Sequence, residues 1–201
     1  SASTGHIALP PELGFLFPAF DDRAANIYNA LFYSKNAAEI HQEVIDAVFR
    51  VTPPLSAEEQ KNAFGTALGD TLQQDCSYDV VQSVHEQLRG RIQEHKESRE
   101  RERLTVSCDD ICDILSSSDV KDEKIEGFRK GFNESFGEKT RLDPQNLVET
   151  KRLELKNADI SIKINPERGE LVKTQVIDGV KYILIRADEE IEVNGVPINI
   201  E

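Results

Sequence analysis

The sequence predicts an α+β fold: a helical lobe of about five helices followed by a C-terminal antiparallel β-meander. Three observations predict it. Over the last fifty or so residues, short runs rich in Val and Ile are joined by Asp178-Gly179 and Asn194-Gly195, dipeptides that tolerate the two positive φ angles of a type I′ hairpin turn. Over the preceding hundred or so residues, apolar side chains recur at spacings of three and four, the period of an amphipathic helix. Capping residues and breakers such as Pro53-Pro54, Ser56, Ser107 and Gly137 divide that stretch into separate helices.

Residues 9–20 (LPPELGFLFPAF) combine three prolines with Leu13, Phe15, Leu16, Phe17 and Phe20. Such a segment cannot form a regular helix and is expected to lie extended, with its apolar side chains across a core. Ile27 to Tyr33 reads as a strand. Ile40, Val44, Val48 and Val51, flanked by Ala37 and Ile45, then recur at helical spacing until Pro53-Pro54. Ser56-Ala57-Glu58-Glu59 restarts a helix as a capping box, with Phe64, Ala67, Leu68, Thr71 and Leu72 as its buried stripe. A third helix runs from about Tyr78 towards Arg99 with Val81, Val84, Leu88 and Ile92 inward. Ser107 caps a short helix bearing Ile111, Ile114 and Leu115; Ile125, Phe128, Phe132 and Phe136 mark the next, closed by Gly137. Leu153 and Leu155 open the sheet region, Ile160, Ile162 and Ile164 alternate, 165–169 turn, and strands at 171–177, 180–186, 190–193 and 196–200 complete the meander.

At 201 residues the chain has room for two closely packed lobes, expected at 1–103 (extended aromatic segment, strand and three helices) and 104–201 (two short helices and the meander). Its 37 acidic residues against 24 basic ones leave a net charge of −13, which disfavours diffuse attraction to nucleic acid or anionic membranes. The stretch 77–103 is locally neutral, and its end, HKESRERER, interleaves both signs. Any nucleic-acid contact is therefore assigned to Arg89, Arg91, Lys96, Arg99, Arg101 and Arg103, and is expected to be weak because neighbouring glutamates can pair with them. Three cysteines, Cys76, Cys108 and Cys112, are too few for a disulfide framework, and no apolar run approaches the length that spans a bilayer. A reducing cytoplasm is the expected compartment. With no initiator Met and no signal-peptide pattern at its start, the sequence reads as a fragment.

The catalytic inventory is thin. His6, His41, His85 and His95 are not spaced to hold a metal, and Cys108 with Cys112 lacks a full tetrahedral ligand set. Asp109-Asp110 reads as helix-start charge and Asp21-Asp22 as part of a turn. There is no nucleophile elbow and no glycine-rich phosphate loop. Catalytic, cofactor and metal residues are accordingly assigned to none.

The segments PELGFLFPAFDDR, ALFYSKNAAEIHQEVID, HEQLRGRIQEHKES, INPERGELVKTQVIDGVKYILI and EVNGVPI carry a resemblance. They resemble the C-terminal half of the bacterial domain-of-unknown-function family numbered forty-three seventeen, which implies a longer N-terminal portion and no catalytic residues. From Ala30 onward the order of elements is also similar to the C-terminal part of the thirty-seven-kilodalton nucleoid-associated protein family, with Glu170 to Thr174 and Tyr182 to Ile185 in the closing hairpin.

The expected function is a non-enzymatic intracellular binding or scaffolding fragment, with nucleoid association as the role implied by the second resemblance. The alternative is a structural or oligomerisation domain of a hydrolase or nuclease whose catalytic residues lie in a missing N-terminal half. The expected partner is another protein or a second copy, with the aromatic segment 13–33 and the C-terminal edge strand as the surfaces for pairing.

Overall fold

A computed structural model describes residues 11–21, 24–36, 39, 41–50, 54–100, 102–189 and 191–200. The fold is α+β, and the chain divides into two compact units, residues 1–60 and 61–201.

In the first unit, β1 (Leu13–Leu16) pairs antiparallel with β4 (Leu31–Ser34), and between them β2 (Ala19–Asp21) pairs with β3 (Ala24–Asn26). Two sequence expectations change here. Ile27 and Tyr28 form a turn, in which Asn26 Oδ1 accepts from the Tyr28 amide, so the strand expected over 27–33 begins only at Leu31. The aromatic segment is extended, but Phe15, Leu16, Phe17 and Phe20 are all exposed rather than laid across a core. The ribbons are short and two-stranded, and among the described residues much of their apolar surface is open to solvent. Helix α1 (Gln42–Val48) buries Ile45 and is followed by Phe49, whose ring meets Phe15 edge-on at 5.4 Å. Ala37, Ile40, Val51 and Pro53, on which the longer helix and its stop were based, lie outside the described residues.

The second unit is built on four helices, the first of which starts a few residues before Lys61. Helix α2 (Ala57–Leu72) starts at the expected capping box: Ser56 Oγ accepts from the Glu59 amide at 3.3 Å while Glu59 accepts from the Ser56 amide at 2.8 Å. Helix α3 (Tyr78–Ser98) follows, capped by Ser77, and ends at Arg99 in the left-handed region. Helix α4 (Cys108–Ser117) has its own capping box between Ser107 and Asp110, and α5 (Asp122–Phe136) ends at Gly137, whose φ of 89° needs a residue without Cβ.

Their apolar stripes converge on one core. Phe64 and Leu72 from α2, Val84 and Leu88 from α3, Ile111, Ile114 and Leu115 from α4, and Phe128 and Phe132 from α5 are all essentially inaccessible. Helices on both sides of residue 103 thus share a core. Burying each such side chain contributes roughly 1.5–3 kcal/mol, which makes this cluster the main source of stability. An antiparallel bridge between Val106 and Leu142, with amide-to-carbonyl distances of 2.8 and 2.9 Å in the two directions, ties the loops that flank α4 and α5.

The closing strands pair two by two rather than as one meander. β5 (Leu153–Lys156) pairs with β6 (Ser161–Ile164), β7 (Val172–Ile177) with β8 (Val180–Ile185), and β9 (Ile191–Val193) with β10 (Val196–Ile198). A six-residue 3-10 segment, Pro166–Leu171, separates β6 from β7 and breaks the ladder that a meander would continue. Both tight turns take the expected type I′ form, with φ of 50° and 80° at Asp178-Gly179 and of 53° and 80° at Asn194-Gly195.

Candidate functional site

Three of the six cations assigned to nucleic-acid contact have partners within the fold. Arg89 donates from Nη2 to the Pro166 carbonyl at 3.0 Å, Arg91 pairs with Asp110 at 2.9 Å, and Arg103 with Asp143 at 3.3 Å. Lys96 and Arg99 are exposed and make no ion pair with a described residue, and Arg101 lies outside the described residues. Two of these side chains brace the fold: Arg91 ties α3 to the start of α4, and Arg89 ties it to the 3-10 segment. Burial opposes ionisation of Asp110, but hydrogen bonds from Ser107 and from Arg91 outweigh it and hold its carboxyl down at about 2.

The 3-10 segment sits on a polar row of α3 formed by Tyr78, Gln82, His85 and Arg89, at spacings of four, three and four. The Tyr78 hydroxyl donates to the Gly169 carbonyl at 3.0 Å, and Gln82 is 93% buried, donating from Nε2 to Glu86 at 2.7 Å. Gln82 Oε1 and Arg89 Nη1 are buried without a hydrogen-bond partner among the described residues. Beside this row opens a cleft of about 300 Å³ lined by Lys61, Tyr78, Gln82, His85, Glu149 and Arg152, among others. Burial, reinforced by Arg89 and Lys61, pushes the His85 imidazole down to about 4, so it is neutral at pH 7. It makes no hydrogen bond to a described residue, so the cleft has an imidazole but no nucleophile held against it. The apolar stripe that helical period assigns to α3 does not account for this row. Its signal was the helical spacing of 78, 82, 85 and 89.

A different surface lies on β7 and β8. Their register sets Val172, Thr174, Val176, Lys181, Ile183 and Ile185 on one face and Lys173, Gln175, Ile177, Val180, Tyr182 and Leu184 on the other. Only Val172 is buried. Val176, Ile177, Val180, Tyr182, Ile183, Leu184 and Ile185 are between 39% and 63% exposed, so the hairpin presents apolar side chains to solvent on both faces. A groove of about 560 Å³ runs along it between Asn157 and Thr174, Val176, Lys181, Tyr182 and Ile183. The run Tyr182-Ile183-Leu184-Ile185, with no polar alternation, was its sequence signal.

A family model described as Domain of unknown function (DUF4317) matches residues 3–196. The chain belongs to that family. No curated protein and no solved structure is significantly similar to it, so the likeness of this DUF4317 chain to the nucleoid-associated family finds no support in these comparisons.

Other reactive groups of the DUF4317 chain sit mainly on or beside its helices. Cys108 and Cys112 stand one turn apart on α4 with Sγ atoms 3.9 Å from each other; burial pushes both thiols up, that of Cys108 to about 12. His41 lies between Glu39 and Glu43, each 3.5 Å away, and His95 Nε2 is 2.6 Å from the Glu102 carbonyl oxygen. Asp109 pairs with Arg129 near the start of α4, Asp21 ends β2, and Asp22 and His6 lie outside the described residues. Among the described residues no three His, Cys, Asp or Glu side chains converge on a point where a metal ion would sit. Nor is any of their helices long and apolar enough to cross a membrane.

Proposed function

We propose that this domain is a non-enzymatic binding and scaffolding module whose docking surface is the β7–β8 hairpin. One observation carries the reading: seven apolar side chains on a two-stranded hairpin are exposed on both of its faces. A lone hairpin is marginal in water, and contiguous exposed apolar patches on soluble proteins mark interaction sites. Covering the hairpin with a partner removes that apolar surface from water and adds stability to both. The helical core supplies the rigid base: the 3-10 segment that leads into β7 is fixed to α3 through Tyr78 and Arg89. No arrangement of acid, base and nucleophile accompanies this surface among the described residues.

The test is site-specific photo-crosslinking in the native host, with the reactive group at Tyr182 and a control at Gln93, an exposed position on α3. A discrete adduct from position 182 and none from position 93 is the expected result. Equal labelling from both positions, or none from either, would refute the hairpin as a docking surface.

A further inference from the structure

We propose that the cleft beside the polar row of α3 binds a small monocarboxylate with an apolar body, its carboxylate meeting Arg152, Lys61 and His85 and its apolar part lying against Val81, Leu153 and Leu155. The cleft, of about 300 Å³, lies within the second unit and shares none of its lining with the groove on β7 and β8. Two periodicities build it. Tyr78, Val81, Gln82 and His85 stand at spacings of three, one and three, which puts them on one face of α3, and Leu153 and Leu155 are the half-buried alternate residues of β5.

The charges select the sign of the ligand. Lys61 and Arg152 line the cleft together with Glu149 and Glu154, but both carboxylates are already occupied. Glu149 accepts from the Lys151 amide at 3.1 Å and pairs with Lys61 at 3.6 Å, and Glu154 accepts from the Ser161 hydroxyl at 3.2 Å. Arg152 makes no ion pair with a described residue. His85 registers the resulting field: besides burial, the charges that hold its imidazole down at about 4 are Arg89 and Lys61, with no carboxylate offsetting them. The other ionisable neighbours, Tyr78 and Glu86 on α3 and Glu170 on the 3-10 segment, keep their own partners in Gly169, Gln82 and Arg168. In a chain of net charge −13 a locally positive hollow runs against the trend of the whole, and it favours an anion. The apolar walls then choose among anions. A phosphate dianion would lose hydration against Val81, Leu153 and Leu155 with too few donors in return, whereas a monocarboxylate brings one charge to the exposed cations and buries its hydrocarbon part.

The unpartnered polar groups give this site its proton. An anion beside His85 stabilises the imidazolium, whose two N–H groups then have two acceptors: the ligand carboxylate, and Gln82 Oε1, which is three residues earlier on the same face and buried without a partner among the described residues. Binding therefore takes up a proton. Affinity rises as pH falls, until the ligand itself protonates.

Isothermal titration calorimetry of the full chain tests this with phenylacetate, its uncharged isostere phenylacetamide, and inorganic phosphate. Phenylacetate is expected to bind with a Kd of about 1 mM near pH 7.5, and the amide and phosphate at least about tenfold more weakly. Near pH 5.5 it is expected to bind about tenfold more tightly, the factor that follows if the bound anion returns His85 to its ordinary value of 6.5. His85→Gln is expected to abolish that pH dependence. Arg152→Glu is expected to weaken binding at least about tenfold, against less than about twofold for Lys130→Glu, which makes the same charge change on α5 outside the cleft. No saturable phenylacetate binding up to ~20 mM, equal affinity for phenylacetate and either control compound, or equal losses in Arg152→Glu and Lys130→Glu would overturn the proposal. A pH dependence that survives in His85→Gln would overturn the role given to the imidazole.

Discussion

Replacing Gly169 by Ala puts a methyl group where Gln82 already stands: a Cβ built on Gly169 would lie 2.1 Å from Gln82 Nε2 and 2.8 Å from its Cδ. Relief by rotating Gln82 away is costly. That side chain is 93% buried and donates to Glu86, while the Gly169 carbonyl is held by Tyr78. Overpacking of this kind costs about 1–3 kcal/mol, and the close contact with a tethered amide places Gly169→Ala at the upper end. Gln82→Ala removes the obstacle together with the unpartnered Oε1, so its own cost is expected to stay below about 1 kcal/mol, as packing lost is offset by a buried polar atom removed. The double variant then has room for the methyl group. Urea unfolding of the four proteins is expected to give a coupling of at least ~1 kcal/mol, the double variant being more stable than the sum of the single costs. Additive costs would show that the 3-10 segment does not rest on Gln82 as described, and the account of how the hairpin is fixed to the core would fall with it.

Acid weakens the fold in two steps. The unfolded chain protonates His85 near 6.5 but the folded chain only near 4, so stability falls by up to about 3 kcal/mol as pH drops from 6.5 to 4, and His85→Gln is expected to flatten that step in urea midpoints measured against pH. Asp110 is depressed from 3.8 to about 2, so its contribution is complete above pH 3.8 and is lost below it; an unchanged low-pH profile in Asp110→Asn would contradict the Ser107 and Arg91 contacts. Duplex DNA is expected to bind no more tightly than a Kd of roughly 10⁻⁶ M at physiological salt, since Arg89, Arg91 and Arg103 are engaged within the fold. A titration showing tight, steeply salt-dependent binding that is lost in Lys96→Ala with Arg99→Ala would reverse this.

What the sequence by itself determined is local. Helix starts at Ser56 and Ser107, the stop at Gly137 and both Gly turns were legible because a cap or a positive φ depends on residues within one turn of one another. The buried stripes of α2 to α5 were legible for the same reason, since helical period alone sorts Phe64, Leu88, Ile114 and Phe128 inward. Only the tertiary structure decided which faces find a cover. The aromatic segment and β7–β8 have the composition of core strands, yet their side chains are exposed, because burial depends on a second layer that their local sequence does not encode. The same holds for the polar row of α3. Gln82 looks like a surface residue in the sequence, and it becomes buried because Gly169, more than eighty residues on, leaves room for the chain to lie directly on it.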